Sequence, residues 1–286
     1  MKIQIVIPVY NDPIRPLRMI HHCYRQMKAV NDNPDLPDMA MMVVNDRSTD
    51  ETEASLAAEI GAINDPAIQI ISTDRRRFCG GARNAGVDAT ESDYIMFFDA
   101  DDDLAPLALE TIASTIAKNE SDMVMWGLQK LTRKGTEVFT PSFKDPTVEF
   151  PTAPIGVWLK AVKRSIFVRF EEGRYCEDCV WWFLQADKVN TLSVIPSPLY
   201  IYDRRGECFS RTTERFAYEP HTLEDLAFND VIVKAGGNDR APSDCLRNMA
   251  DMYDIRKSLK NPNVRNAWAA RFHNDFVSIV TGRLSF

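Results

Sequence analysis

Hydrophobic positions in the first hundred residues follow two alternating periods. Ile3 to Val9, Ala40 to Val44, Ile68 to Ser72 and Tyr94 to Phe98 are short, mostly apolar runs. Runs of this length without sustained alternation predict strands buried on both faces. Between them apolar residues recur at helical spacing. One amphipathic stretch leads from the break at Pro13 and Pro16 to about Lys28, a second follows Asp50, and a third covers Ala82 to Ala89. Asn31 to Asp38 is a polar, proline-bearing loop. Ser48 or Thr49 is expected to cap the second helix, with Glu51 and Glu53 near its positive end. Strand–helix alternation of this kind predicts an α/β fold with parallel strands and right-handed crossovers.

Past residue 210 the pattern changes. Pro220 to Lys234, Ser243 to Leu259 and Val264 to Val280 carry apolar and aromatic stripes at helical spacing, punctuated by Gly236-Gly237 and Pro262. Trp268, Phe272, Phe276 and Ile279 share one helical face. That face packs on the rest of the chain, pairs with a second copy in a homodimer, or rests on a membrane surface. The predicted organisation is a unit over residues 1–210, with a ligand-binding part at 1–105 and a second part at 106–210, followed by a helical extension over 211–286. No run approaches the roughly 18 apolar residues of a membrane span.

Composition narrows the class. The chain has 286 residues, 45% of them hydrophobic and 26% charged, as in an ordinary globular protein with a full core. A net charge of −7 argues against a nucleic-acid surface. Six cysteines, without a disulfide-like framework, fit a reducing cytoplasm, peripheral to a membrane if the C-terminal face rests on one. Cys176-x-x-Cys179 has no second pair to complete a zinc site, and the four histidines show no ligand spacing.

Chemistry concentrates where the fourth strand ends. Tyr94-Ile95-Met96-Phe97-Phe98 runs into Asp99-Ala100-Asp101-Asp102-Asp103. Open α/β sheets bind ligands at the carboxyl ends of their strands. Carboxylates packed this closely repel, and a hard divalent ion bridging to phosphate oxygens removes the repulsion; Mg²⁺ and Mn²⁺ suit such oxygen ligands. A solvated acidic turn is the plainer alternative. Two further loops, Val9-Tyr10-Asn11-Asp12 and Asn45-Asp46-Arg47-Ser48, converge on the same edge. Together they offer a ring for stacking, an acceptor for a base N–H and a seat for a cation, the groups a nucleoside diphosphate requires. Cys79-Gly80-Gly81-Ala82-Arg83-Asn84 adds a glycine turn opening a helix, with a fixed cation. It is not a Walker A loop, and no G-x-G-x-x-G follows the first strand. Arg75-Arg76-Arg77 reads as a solvated charge run, or as a patch that steers an anionic donor.

Ile5-Val6-Ile7-Pro8-Val9-Tyr10-Asn11, Val44-Asn45-Asp46-Arg47-Ser48-Thr49-Asp50, Gly81-Ala82-Arg83-Asn84-Ala85-Gly86 and Asp99-Ala100-Asp101-Asp102, in this order and spacing, resemble a family 2 glycosyltransferase of the GT-A (Rossmann-like) fold. Tyr175-Cys176-Glu177-Asp178, heading Val180-Trp181-Trp182-Phe183-Leu184, resembles that family's Glu-Asp helix start. The resemblance covers roughly residues 1–210.

It implies an inverting, metal-dependent transfer from a nucleotide sugar to a hydroxyl of a glycan, a lipid-linked glycan, a protein or a modified nucleic-acid base. Tyr10 would stack on the nucleobase and Asp46 would accept its N–H, with Pro8, Asn11 and Ser48 lining the same subsite. Arg83 would support the diphosphate or sugar. Asp99, with Ala100, would reach the ribose or sugar, and Asp101 would hold Mn²⁺ or Mg²⁺; Asp102 and Asp103 would stand behind them or face solvent. Asp178 would be the general base, flanked by Glu177, which as a pair also suit a helix N-terminus. Trp158 and Lys160 would lie on the acceptor side, the alternative being a buried Trp beside a solvated basic face. Arg204 and Arg205 would clamp the diphosphate or are surface charges. Arg47 departs from the glycine frequent in relatives.

Three rival classes share parts of this pattern. A haloacid-dehalogenase-type phosphatase would place Asp-x-Asp near the N-terminus, whereas three strands precede it here. A sugar nucleotidyltransferase would carry a glycine-rich basic loop where Tyr10-Asn11-Asp12 stands. A non-catalytic nucleotide-sugar-binding protein would not need Asp178.

Overall fold

The computed structural model describes residues 1–143, 156–172, 177–205 and 259–269; within the last helix of the main body the side chains of residues 179 and 180 are left aside. The expected helices over Pro220 to Lys234 and Ser243 onward, and the positions of Phe272, Phe276 and Ile279, lie outside the described residues.

Four strands open the fold: β1 (Lys2–Val9), β2 (Asp38–Asn45), β3 (Ile68–Ser72) and β4 (Tyr94–Phe97). They are parallel and stand in the order β3-β2-β1-β4. The helices between them are α1 (Arg15–Asn31), α2 (Thr52–Ile63) and α3 (Phe78–Asp88). Beyond β4 the sheet becomes mixed. After β5 (Asp103–Leu104) and α4 (Ala108–Asn119) come β6 (Met123–Thr132), β7 (Gly135–Phe139), β8 (Lys160–Lys163), α5 (Glu177–Ala186) and β9 (Leu192–Asp203). The full order is β3-β2-β1-β4-β8-β6-β9-β5, with β7 pairing β6. β8 runs antiparallel to both β4 and β6, and β9 runs parallel to β6.

The uninterrupted apolar strands are explained by two cores. Ile3, Ile5, Ile7, Met41, Val43, Tyr94 and Met96 point to one face, against Met19 and Ile20 of α1 and Leu109, Ile112 and Ile116 of α4. The alternate residues Val6, Met42, Val44, Ile95 and Phe97 point to the other, against Ala82 and Val87 of α3 and Trp181, Trp182 and Phe183 of α5. Gly86 lets α3 lie directly on β1 and β2, since a Cβ there would come within 2.4 Å of Val6 Cγ1 and 3.0 Å of Val44 Cγ2. Leu259, Val264 and Trp268 join this second core, and Asp187 Oδ1 accepts the main-chain N–H groups of Lys260 (2.9 Å) and Asn261 (2.7 Å). Trp268 therefore packs on the body of the chain. Among the described residues its helix covers 262–269, and it starts at the proline rather than at Val264.

Two local expectations are corrected. α3 begins at Phe78, so Gly80 and Gly81 lie inside its first turn rather than in a loop that opens it. Small residues are needed there because a Cβ on Gly80 would meet Glu171 O at 2.7 Å and Glu177 Cγ at 3.0 Å. Neither Ser48 nor Thr49 caps α2; the Thr52 N–H donates to Asp50 Oδ1 at 3.0 Å, and both hydroxyls are used to tie loops together instead.

Candidate active site

The parallel order reverses between β1 and β4, and the loops after β1, β2, β3 and β4 meet at that carboxyl edge. The first two are stitched to each other. Ser48 Oγ accepts the Asn11 N–H at 3.0 Å, and Asn11 Oδ1 accepts the Thr49 N–H at 2.8 Å. Asn11 (φ 46°) and Arg47 (φ 58°) both occupy the left-handed region that these tight exits from the strands require. Arg47 thus sustains the backbone shape a glycine would take most easily. Asn11 and Ser48 are engaged in this bracing on either side of the site; Pro8 is half-buried and pairs in register with Val44.

Asp46 is buried at the end of β2. Its Oδ1 accepts the Arg77 N–H (2.8 Å) and the Thr73 hydroxyl (3.0 Å). Its Oδ2 is buried and makes no hydrogen bond among the described residues. Burial raises the Asp46 pKa, opposed by the N–H groups of Arg77 and Phe78, the Thr73 hydroxyl and the charge of Arg76. An acceptor held ready beside an aromatic ring, Tyr10, suits a flat ligand with an N–H at its edge.

The four carboxylates of the acidic run divide. Asp99 and Asp101 face the site with side chains 30% and 28% exposed. Asp102 is buried behind them: Oδ2 accepts the Tyr200 hydroxyl (2.7 Å) and Oδ1 the Asp203 N–H (3.0 Å). Asp103 turns toward α1, where it pairs with His22 and approaches Arg18. Asp102 is therefore not solvent-facing. Burial, and then the like charge of Asp99, raises the Asp101 pKa, with Arg15 at 3.7 Å opposing. Ala100 is half-buried against the first core.

Arg83 links this loop to α5. Its guanidinium is buried, donates to Asp99 Oδ1 at 2.8 Å, and pairs with Glu177 Oε1. Desolvation works against the Arg83 charge, but the carboxylates of Asp99 and Glu177 outweigh it and raise the pKa. Burial raises the Glu177 pKa, with Arg83 pulling the other way and Asp178 adding to the rise. Asp178 follows on the first turn of α5, half-buried, at the helix end that favours negative charge. Asn84 fixes the same junction. Its amide donates to Phe170 O (2.8 Å) and accepts from Phe170 N (3.0 Å) in a buried, reciprocal pair.

On the far side Trp158 stacks on Tyr200 (4.6 Å between centroids) and Tyr202 (5.1 Å). Lys160 is buried, not part of a solvated basic face: its Nζ donates to Gly156 O at 2.7 Å and lies 4.3 Å from the Trp182 ring centroid. Burial pushes its pKa down to about 7, against the charge of Asp178. Arg204 packs on the Tyr202 ring, and Arg205 is paired with Asp203 at 2.8 Å on the surface.

Several side chains of this site were not anticipated. Tyr200 begins the segment that leads to Arg204 and Arg205, and Phe170 lies seven positions before Glu177, but nothing local gives either a role, because the partners that define it, Asp102 and Asn84, are far along the chain. Asn84 does carry a signal, a polar residue inside an otherwise small and apolar helical face. Arg76 is not a member of a solvated run: its Cζ lies 3.8 Å from the Tyr10 ring centroid.

For a divalent ion the donor set fits Mg²⁺ or Mn²⁺ bound jointly with a ligand. Among the described residues no cluster of three His, Cys, Asp or Glu could form a cage of its own. Asp101, desolvated beside Asp99 with Arg15 at 3.7 Å, presents one carboxylate oxygen donor that would hold such an ion, with ligand oxygens supplying the rest. No helix among the described residues is long and apolar enough to cross a membrane.

Known proteins share both the sequence pattern and the fold. Succinoglycan biosynthesis protein ExoO of Rhizobium meliloti is 29% identical over 209 residues, covering 66% of this chain and 59% of that protein. The teichoic acid poly(glycerol phosphate) polymerase of Staphylococcus epidermidis is 32% identical over 293 residues, covering 96% of this chain and 35% of that protein. The chain thus spans only part of the curated relatives it matches. Among solved structures, Staphylococcus aureus TarS in complex with UDP-GlcNAc superposes with a TM-score of 0.60 at 19% identity, over 98% of this chain and 82% of that one. The mannosyltransferase PcManGT of Pyrobaculum calidifontis, in complex with GDP-Man and Mn²⁺, gives 0.54 at 17%, over 94% and 73%. These likenesses show the GT-A fold. Residues 4–168, more than half of the chain, match the model of glycosyl transferase family 2, and to that family the chain belongs.

Proposed function

We propose that this chain transfers a sugar from a nucleoside-diphosphate sugar, of the UDP type, to an acceptor hydroxyl with inversion at the anomeric carbon. The observation that carries this reading is the Arg83 fork, which joins Asp99 of the acidic loop to Glu177 beside Asp178. One guanidinium thereby sets a donor-side carboxylate against the helix end that bears a candidate base. In this reading Tyr10 stacks on the base and Asp46 Oδ2 accepts the uracil N3–H. Asp101 would hold Mn²⁺ or Mg²⁺, which when bound neutralises the leaving diphosphate. Asp178 takes the proton of the acceptor hydroxyl as that oxygen attacks from the face opposite the leaving group. Arg83 holds Asp99 and Glu177 in place at that junction. The names of relatives, which point to poly(ribitol-phosphate) and to succinoglycan biosynthesis, support a polymer or glycan acceptor.

The test begins with thermal shifts against UDP-, GDP-, CDP- and dTDP-sugars with Mn²⁺, where selective stabilisation by UDP-sugars is expected. Asp178→Asn keeps the shape of the side chain and lowers its basicity. It should leave UDP-sugar affinity nearly unchanged and slow transfer by about 10² to 10⁴-fold. Release of pyrophosphate instead of UDP, retained anomeric configuration by NMR, or near-normal turnover of Asp178→Asn would overturn the assignment.

A further inference from the structure

The face of Tyr10 already carries a planar group of the protein itself. Arg76 Cζ stands 3.8 Å from the Tyr10 ring centroid and 4.6 Å from that of Phe78. Both distances are those of a cation stacked on an aromatic face. The Arg76 Nε is buried and makes no hydrogen bond among the described residues, so the rings rather than a polar partner hold the group there. Its charge reaches Asp46, whose Oδ2 also has no hydrogen-bond partner among the described residues. Phe78 is set in this position at a conformational expense. It opens α3 with φ 61°, a region that bulky side chains rarely enter and that persists where the surroundings impose it.

We infer that Arg76 occupies the nucleobase position on the face of Tyr10. In this arrangement Tyr10 and Phe78 both serve as stacking surfaces, and the base binds by displacing the guanidinium from Tyr10. This rests on the reading that Tyr10 and Asp46 hold the base. A guanidinium and a pyrimidine are both flat and both stack on rings, so one can replace the other without rebuilding the loops. The exchange also explains two unsatisfied atoms together. Arg76 Nε is freed to reach water or phosphate, and Asp46 Oδ2 gains the N–H of the base. Arg76 is then a specificity element: only a base that stacks on Tyr10 and also donates to Asp46 offsets the contact it displaces.

The test uses uridine, which has no phosphate, so that any attraction of Arg76 for the diphosphate is absent. Binding is measured by calorimetry on the full chain. Arg76→Ala should bind uridine about two- to thirtyfold more tightly, the range spanned by loss of a competing cation–π contact. Arg76→Lys, which keeps the charge and loses the flat fork, should also bind more tightly. Phe78→Leu should bind at least about fivefold more weakly, having lost a stacking surface. Unchanged or weaker uridine binding by both Arg76 variants would overturn the displacement, and unchanged binding by Phe78→Leu would overturn the second stacking surface. Tyr10→Ala and Asp46→Asn separate the two levels of the argument. If neither weakens uridine, the base site itself is misplaced; if both do while the Arg76 variants bind like the parent, only the displacement fails.

Discussion

The two sides of the cleft are built by different physics. On the side of β1, β2 and β3 the polar groups are placed by hydrogen bonds with main-chain N–H groups and hydroxyls of neighbouring loops: Asn11 with Ser48 and Thr49, and Asp46 with Thr73 and the Arg77 N–H. On the side of α5 and β9 they are placed by buried charges and stacked rings: Arg83 on Glu177, Lys160 under Trp182, and Trp158 on Tyr200 and Tyr202. Where both partners are neutral and near solvent, as at Asn11 and Thr49, the first kind of order tolerates the loss of one of them, because water can replace the bond. The second does not, because a buried charge that loses its partner has no substitute. The junction between the sides belongs to the second kind. The largest effects of substitution on stability should therefore fall on the residues of that junction.

Arg83→Ala should produce the largest loss. It leaves Glu177 buried without its counter-charge, and removing one partner of such a pair destabilises by about 3–5 kcal/mol. Arg83→Lys should recover only part of this, since one ammonium cannot serve Asp99 and Glu177 as the fork does. Urea unfolding of both variants checks this, and a loss for Arg83→Ala no larger than that of an exposed arginine would show that the junction is not held by charge.

Asn84→Ala comes next. It strands the N–H and C=O of Phe170, both buried, for an expected loss of about 2–4 kcal/mol in the same measurement. A loss under about 1 kcal/mol would mean that the Phe170 segment is held by its ring contacts with Phe97 and Trp181 instead.

These same residues mark where the sequence stops being readable. Tyr10, Asp46, Arg83 and the acidic run each follow a strand or open a helix whose apolar pattern is local, so their convergence follows from the rule that ligands gather at strand ends. The partners that complete the site lie far along the chain. Arg83 meets Glu177 across 94 positions, Asn84 meets Phe170 across 86, and Tyr200 meets Asp102 across 98. β8 inserts between β4 and β6, and no periodicity in Lys160–Lys163 announces that pairing. The split of Asp99 and Asp101 from Asp102 and Asp103 was implied by the family resemblance, but its cause does not show in the local sequence. It depends on Tyr200 and on His22, which come from other elements. The glycines show the converse. Gly80 and Gly81 resemble a turn in sequence, yet they are helical, and their smallness serves the approach of the Glu171 carbonyl and Glu177 to Gly80.

Lys160 sharpens the contrast through pH. Burial holds its folded-state pKa down at about 7, against an ordinary value of 10.5. Between those values the unfolded chain binds a proton that the folded chain does not. Stability contributed by this group therefore rises with pH from about 7 to about 10, at up to roughly 1.4 kcal/mol per pH unit, and is flat below. Lys160→Met should abolish that slope while filling much of the same volume. Urea unfolding of both proteins at pH 7, 8 and 9 tests it, and parallel profiles would show that Lys160 remains charged in the fold.

The smallest expected effect is the most diagnostic of how the two sides are coupled. The Tyr200 hydroxyl accepts the Asp99 N–H at 3.2 Å and donates to Asp102 Oδ2 at 2.7 Å, so one oxygen on β9 holds the acidic loop from both ends. Tyr200→Phe removes only that oxygen. The ring, stacked 4.6 Å from Trp158, remains to fill the core, and Asp102 keeps the Asp203 N–H. The expected loss is about 1–2 kcal/mol, toward the lower end of what a buried group costs when it loses one hydrogen-bond partner. Asp102→Asn should cost a similar amount, because its amide meets the same two partners imperfectly. If the two groups act through each other, the double variant should lose about 1 kcal/mol less than the sum of the singles. Strict additivity would place Tyr200 outside the acidic loop's support, and the coupling of the two sides would then rest on the Arg83 and Asn84 junction.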